Sequence, residues 1–510
     1  MKRDRPLPRT GVLVRTALLA VVVASAVAAP LRAPLGAQIS QAEYAARRTA
    51  FTSRVNADGV YLVLGGAEPK ENYENFWQAQ NFRYLTSFLE PGAALVVVRK
   101  NGQDHPTLFV EPKDPAQEVW TGERLGVLGV KTLGMEGRDA ASLRTVLDSL
   151  LAGGMTLHVV GDFSPGAGAD VPGAAVPRTV DDQLLDGIKA RHRDVKVVDA
   201  THDVMVLRGK KSPAELALIR SAAKVSAAAH KEVLGTIAPG INEFEVQALA
   251  EYTFRRNGGD RPSYGSIVGS GPNSTTLHYN RDDRFMNSGE VVNMDMATYY
   301  GGYSADVTRT VPVNGKFSAE QRAVYQIVLD AQVSAERQIK VGRPFKQLND
   351  SALFVLKTGL AKLGLIESPD ATYEENGRKV PQYRLYYMHG LGHPIGLDVH
   401  DVDAYTSGGL IEGSVFTIEP GVYVRANTVE IIPDVPANAT ARTKLASAVK
   451  KYASIGVRIE DDYVVTASGF DRISSDAPRE MDAIEKEMAK RAGVSARDGS
   501  TIDAYKKIRP

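Results

Sequence analysis

The tetrapeptide Ser212-Pro213-Ala214-Glu215 constrains the fold more than any other stretch of this chain. It combines three helix-start signals: a serine able to cap, a proline at the first helical position, and a glutamate three residues after the cap. A long Ala-rich helix is predicted from there to about Thr236, where Pro239-Gly240 breaks it. Asn242 with Glu245 repeats the design, and the helix it starts ends at Asn257-Gly258-Gly259.

The chain reads differently on the two sides of a boundary near Leu207. Before it, β-branched runs at Val60–Leu64, Leu95–Val98, Thr107–Val110, Leu157–Val159 and Val195–Val198 alternate with helical patterns at Pro115–Arg124 and Ala140–Leu151, which predicts an α/β domain. Gly161–Pro177 reads as a surface loop. From Ile267 onward strands dominate, with helices near 318–340 and 346–363, and an α+β domain with mostly antiparallel strands is predicted. No repeat at solenoid periods is present. At 510 residues the chain exceeds one ordinary core. The expected division is an export signal over 1–37, an α/β domain over 38–206, an α+β domain over 207–491 and a polar tail over 492–510.

The export signal rests on a basic start (Lys2, Arg3, Arg5, Arg9), the apolar run Thr16–Ala29, and small residues at Ala26-Val27-Ala28 and Gly36-Ala37 as cleavage points. The competing reading, an uncleaved anchor, is disfavoured because Arg15 interrupts the run and Pro30 and Pro34 end it. The mature protein is expected to be periplasmic or secreted, with no membrane attachment after cleavage. The chain has no cysteine, which excludes disulfides, thiolate metal sites and a cysteine nucleophile. Its 61 Lys+Arg and 60 Asp+Glu nearly cancel, so the basic excess of a nucleic-acid binder is missing.

The chemistry concentrates in four segments. In Glu290-Val-Val-Asn-Met-Asp295 and Asp306-Val-Thr-Arg-Thr, two strand-like runs flank Tyr300-Gly301-Gly302 and predict a hairpin. With Tyr300-Gly301 as the loop, Asp295 lies opposite Asp306. Facing carboxylates destabilise a ladder unless a cation sits between them; otherwise one points to solvent. Met388–Asp401 carries three of the nine histidines, His389, His393 and His400, on a Gly- and Pro-bearing segment that cannot be a regular helix. Clustering favours ligation or catalysis over three separate hydrogen-bonded histidines. On an extended segment His389 and His393 share a face, and His400 needs a bend at Pro394 or Gly396 to join them. Glu419 ends the apolar run Val415–Ile418, and Glu460 follows Arg458 on one strand face, so the arginine is placed to orient it. Asp295, Asp306, His393, Glu419 and Glu460 are the candidate ligands. Four carboxylates and one imidazole suit two divalent ions about 3.5–4 Å apart better than one tetrahedral zinc. Manganese (Mn2+) fits this set best, and cobalt (Co2+) or zinc (Zn2+) could substitute.

With their flanks, these residues resemble the pita-bread metallopeptidases, specifically the aminopeptidase P/prolidase family. The resemblance rests on Asp306-Val-Thr-Arg-Thr, His389-Gly-Leu-Gly-His393, Asp398-Val-His400-Asp401, Ile418-Glu419-Pro420-Gly421, Arg458-Ile-Glu460-Asp461-Asp462 and Gly269-Ser-Gly-Pro-Asn-Ser-Thr-Thr-Leu-His278-Tyr. Asn81-Phe-Arg-Tyr-Leu-Thr-Ser-Phe and Leu108-Phe-Val-Glu-Pro-Lys-Asp-Pro resemble the family's N-terminal domain. The resemblance implies that Asp295, Asp306, His393, Glu419 and Glu460 hold two metals, with Glu419 also the general base. It implies that His278, His389 and His400 surround the substrate and that Arg458 orients a ligand from behind. The implied reaction releases the N-terminal residue from peptides with proline in the second position, with an Xaa-Pro dipeptidase as the alternative; a homo-oligomer, dimer or tetramer, is implied too. A non-catalytic pita-bread module is disfavoured because no ligand is lost. Met296-Ala297 departs from the Ala-Gly that often follows the first metal aspartate, and Gly392 stands where many aminopeptidases P carry Ser. The stretches Pro369–Tyr383 and Asp434–Lys451 look inserted and flank site segments, so they are expected to reshape substrate entry.

Overall fold

β1 (Gly59–Leu64) is buried along its whole length, as its unbroken apolar run requires. It lies inside a six-stranded mixed sheet with β2 (Ala94–Lys100), β3 (Gln103–Val110), β4 (Glu136–Asp139), β5 (Leu157–Val160) and β6 (Val197–Asp199). The order is β4-β3-β2-β1-β5-β6. β1, β2 and β3 pair antiparallel, while β4, β5 and β6 each join in parallel. Alternate residues serve two cores. Val60 and Leu62 pack with Leu147, Leu151 and Ile188. Tyr61 and Val63 pack toward Phe82, Leu85, Ile219, Ile395 and Leu397. Each such buried side chain contributes about 1.5–3 kcal/mol, and the second core fastens this sheet to the rest of the chain.

In this computed structural model the described residues are 39–71, 73–163, 178–402, 408–490 and 506. The expected export signal over 1–37, the tail over 492–510 apart from Lys506, and residues 164–177 of the expected surface loop lie outside them. Among the described residues, no helix is long and apolar enough to cross a membrane. The boundary expected near Leu207 falls inside the helix Thr201–Gly209.

The helices Pro213–Leu234 and Glu243–Arg256 both carry complete capping boxes, from Ser212 with Glu215 and from Asn242 with Glu245. Each cap contributes about 1 kcal/mol. The strands that follow are β7 (Ile267–Ser270), β8 (Val291–Asp295), β9 (Tyr299–Tyr300), β10 (Tyr303–Ser304), β11 (Thr308–Pro312), β12 (Thr372–Glu375), β13 (Arg378–Pro381), β14 (Val415–Ile418), β15 (Gly421–Val424), β16 (Ile455–Arg458), β17 (Asp461–Thr466) and β18 (Gly469–Arg472). Their pairings are all antiparallel, in the groups β11-β8-β7, β10-β9, β12-β13, β14-β17-β18 and β15-β16. Helices Ala319–Glu336 and Phe345–Lys362 pack on these strands and contribute Val324, Val328, Leu348 and Leu356 to one core with them.

The hairpin register differs from the expected one. Gly301 and Gly302 form the turn, with φ of 58° and 85°, a mirror-image turn that glycines adopt without strain. Tyr303 therefore faces Tyr300, and Asp295 faces Thr308 rather than Asp306. The ladder also parts between these two paired regions. There His230 Nε2 lies 3.0 Å from both Met296 O and Val307 O, and Val307 O also accepts from Met296 N at 3.1 Å.

The two insert-like stretches pack on each other. Pro369–Tyr383 holds the β12–β13 hairpin, and Asp434–Lys451 is largely the helix Ala439–Tyr452. Glu374 N donates to Asn438 Oδ1 (2.8 Å), and Asn438 Nδ2 donates back to Glu374 O (2.9 Å).

Candidate metal centre

Strand ends supply the carboxylates. Asp295 closes β8, Asp306 precedes β11, Glu419 lies between β14 and β15, and Glu460 lies between β16 and β17. The histidines come from the irregular segment 388–401, which is held by backbone bonds: Thr417 N donates to His393 O and Glu419 N to Leu391 O, at 2.9 and 2.8 Å. Gly392 lets the two backbones approach closely here, since in this backbone an added Cβ would lie 2.0 Å from Thr417 O.

The five candidate ligands converge on one cavity of about 540 Å³, lined also by His278, His389, His400, Arg458 and the apolar Ile267, Leu277 and Val399. No lining residue belongs to Pro369–Tyr383 or Asp434–Lys451, so the expected reshaping of the entry is not seen among the described residues. His393 Nε2 lies 3.4 Å from Asp306 Oδ2 and 3.6 Å from Glu419 Oε1. Its Nδ1 is 3.1 Å from Pro394 O, which can only accept, so Nδ1 carries the proton and Nε2 is the nitrogen offered to the carboxylates. One ligand atom each from Asp306, His393 and Glu460 lie within 4.8 Å of one another.

His389 is fixed in the same manner. Its Nδ1 donates to Gly390 O, and its Nε2 meets the Tyr423 hydroxyl, both at 2.8 Å. His389 Nδ1 and His393 Nε2 approach the two oxygens of Glu419, each at 3.6 Å. His400 packs against His393 with ring centroids 4.1 Å apart, brought there by a turn in which Gly396 N donates to Asp398 O.

Arg458 does not orient Glu460 directly. Its Nη2 donates to Asp295 Oδ2 (2.6 Å) and its Nη1 to the Tyr423 hydroxyl (3.1 Å). Glu460 takes its hydrogen bond from the Thr308 hydroxyl (2.6 Å). The chain leaves the β15–β16 pair at Arg458 and enters the β14–β17–β18 sheet at Asp461, so strict alternation fails between them.

Sequence reasoning missed several partners. The Tyr264 hydroxyl lies 2.5 Å from Asp295 Oδ1 and 2.6 Å from Asp306 Oδ1, one proton shared by two carboxylates. Tyr264 sits in a loop with no periodic signal. Tyr423 had a faint one, two residues past Gly421 on β15. Arg309 spends every N–H it has: on Thr308 O, Glu460 O, Asp461 Oδ1, Ala477 O and Pro478 O.

Burial pushes Glu419 up to about 7, against the pull of His393 and Arg458. Burial and the neighbouring carboxylates Asp306 and Glu419 push Glu460 well above the usual range, and burial also raises Asp295. Burial alone would lower His393, but Asp306 and Glu419 hold it up at about 9. Burial and then Arg458 lower His389 to about 4. Four carboxylates thus face one permanent cation, Arg458. Bound divalent ions would supply the missing charge, and the oxygen-rich donors with one free imidazole nitrogen fit them.

Comparison with known proteins agrees with this chemistry. The chain matches the model of metallopeptidase family M24 over residues 217–467 and that of the aminopeptidase P N-terminal domain over residues 44–158. It is 32% identical to the Xaa-Pro aminopeptidase of Haemophilus influenzae over 464 residues, covering 89% of this chain and 98% of that protein. It is 32% identical to the Escherichia coli Xaa-Pro aminopeptidase over 460 residues, covering 88% and 98%. Its fold is similar to that of E. coli aminopeptidase P solved with the inhibitor Pro-Leu, with a TM-score of 0.73, 29% identity, and coverage of 89% of this chain and 99% of that one. The α/β layer joined to a pita-bread half, the convergent carboxylates and these matches lead to one assignment: the chain belongs to the aminopeptidase P family of the M24 metallopeptidases.

Proposed function

We propose that the protein hydrolyses the bond between an N-terminal residue and a proline in the second position, releasing that residue from peptides. The observation that carries this reading is the convergence of Asp306, His393 and Glu460 at the cavity that His278, His389 and His400 line. The relatives' names supply the bond.

Asp295, Asp306, His393, Glu419 and Glu460 would hold two divalent ions, with manganese the best match to the donors. When bound, such ions polarise the scissile carbonyl and make water more acidic. Glu419, whose two oxygens are approached by His389 and His393 at 3.6 Å, is placed to take the proton of the attacking water. His389, held by Gly390 O and the Tyr423 hydroxyl, keeps its ring beside Glu419. His278 and His400 face the carbonyl oxygen and the proline nitrogen, and the proton gathered by Glu419 passes to that nitrogen as the C–N bond breaks. Ile267, Leu277 and Val399 offer apolar walls to the proline ring. Arg458 and Tyr264 fix the Asp295 and Asp306 carboxylates.

The test incubates the manganese-loaded protein with Gly-Pro-Leu, Gly-Pro and Gly-Leu-Leu and identifies products by mass. Release of Gly from Gly-Pro-Leu supports the reading. Cleavage of Gly-Pro alone moves it to a dipeptidase, and cleavage of Gly-Leu-Leu at an equal rate removes the proline requirement. Metal content of the purified protein tests the manganese assignment. We also propose export from the cytoplasm, from the signal-like start of the sequence, and assembly as a dimer or tetramer. Assembly is supported by the helix Pro115–Thr121, which buries none of its residues and exposes Val119 and Trp120. N-terminal sequencing of the mature protein and light scattering test these two readings.

A further inference from the structure

His400 lines the cavity, and its imidazole is placed by ring packing on His393. Its two flanking carboxylates are gripped by one guanidinium. Arg208 Nη2 donates to Asp398 Oδ2 and to Asp401 Oδ1, both at 2.6 Å. Arg208 Nη1 donates to Asn81 Oδ1 (2.7 Å), at the start of the helix Gln80–Thr86. Lys211 closes the other side: its Nζ donates to Asp401 Oδ2 and to Arg208 O, both at 2.8 Å. The side chains of Arg208, Lys211 and Asp401 are 4%, 2% and 1% exposed.

The backbone is shaped to this grip. An added Cβ at Gly396 would lie 1.9 Å from Asp401 Oδ2 and 2.7 Å from Lys211 Cε, so the turn closes tightly over the ammonium. Ile395 and Leu397 anchor the same turn in the apolar core shared with Phe82 and Leu85. The segment therefore has a division of labour: residues 395 and 397 into the core, 398 and 401 onto cations, 399 and 400 into the cavity.

A buried, charge-balanced cluster gains little stability over an apolar replacement, since desolvation offsets most of the attraction. What it supplies is direction, because one nitrogen of a rigid planar guanidinium bridges the two carboxylates while the other is tied to Asn81. We propose that Arg208 and Lys211 are positioning residues that act through Asp398 and Asp401 to set His400 against the substrate, coupling the N-terminal α/β layer to the reaction. The inference rests on His400 working in the proposed hydrolysis.

The test is a double-mutant cycle on the metal-loaded full chain with Gly-Pro-Leu. Arg208→Lys keeps the charge but loses the planar guanidinium that joins Asn81, Asp398 and Asp401, and half-exposed Asp398→Asn weakens one of those contacts with little risk to folding. Arg208→Lys is expected to lower kcat about 10- to 100-fold with KM within about twofold, the pattern of misplacement by an ångström or less. Asp398→Asn is expected to lower it in the same direction by less. In a His400→Ala background either change should cost less than about a further twofold, because the residue they position is gone. Calorimetric affinity for Pro-Leu should show the same non-additivity, with bound metal per chain unchanged. Full additive losses on top of His400→Ala, or wild-type kcat in both single variants, would overturn the positioning role alone. Wild-type activity of His400→Ala itself would remove the assignment of His400 and this proposal with it.

Discussion

Two groups of buried carboxylates lie back to back, divided between the neighbours Glu460 and Asp461. The Asp461 carboxylate itself is fully answered. Its oxygens receive Arg309 (2.7 Å), Ser474 (2.6 Å), Gln332 (3.1 Å) and Arg472 (3.3 Å). Burial would raise Asp461, but Arg309, Arg472 and Arg479 win and hold it below its ordinary value. On the other side Asp295, Asp306, Glu419 and Glu460 share Arg458, and burial drives three of them up. Burial is similar, and only the count of cations differs. A balanced cluster is scaffold, whereas an anionic surplus in a cavity is a receptor for cations.

That contrast can be broken from either side. The largest expected effect is Asp306→Ala, which should lower turnover of Gly-Pro-Leu by at least about a thousandfold and reduce bound metal per chain, while leaving urea unfolding of the metal-free protein near wild type. Arg309→Met should do the reverse in kind. It removes the shortest cation contact of Asp461 and the donors of four backbone carbonyls, so unfolding should become easier by about 3–5 kcal/mol, read from the urea midpoint. Divalent metal at a hundred times its Kd should stabilise the wild type by about 2.7 kcal/mol, read as a rise in Tm of the chelator-treated protein. Glu460→Gln should abolish most of that rise, and Arg472→Gln should keep it.

The smallest expected effect concerns a third, lone carboxylate. Asp282 is buried, accepts only from Val268 N (2.9 Å) through Oδ1, and leaves Oδ2 without a partner. Burial raises it to about 7. An acid held more protonated in the fold than in the unfolded chain contributes stability that is full below about 4 and is lost as pH rises through about 7. Asp282→Asn removes the ionisable group and places an amide where Glu243 and Glu251 lie nearby. It should therefore stabilise the protein by about 1–2 kcal/mol at pH 8 and by little at pH 4. Thermal unfolding at the two pH values reads the difference.

Several elements were legible before any coordinates. The caps at Ser212 and Asn242 sit as their sequences require, because a cap is a contact between residues three apart. The candidate donors Asp295, Asp306, His393, Glu419 and Glu460 line one cavity. The hairpin register was missed by one step of the turn, since Tyr300-Gly301 and Gly301-Gly302 are both good turns locally and the choice between them falls to tertiary contacts such as Arg83 Nη2 with Gly301 O (2.8 Å) and Asp260 Oδ2 with Gly302 N (2.7 Å). The partner of Arg458 was misread because face-sharing presumes a continuous strand, and the chain changes sheets at that point.

The sequence by itself determined the helix starts, the strand-rich second half and the order and chemistry of the candidate metal donors, because these depend on side-chain type and on contacts within a few residues. The tertiary structure alone decided which oxygen each proton and cation meets: Tyr264 between Asp295 and Asp306, Arg458 on Asp295 from 163 residues away, and Arg208 on the turn of His400 from about 190 residues away. Such pairings carry no local signal, since their strength depends on burial and direction, and both exist only after the two halves of the core have closed on each other.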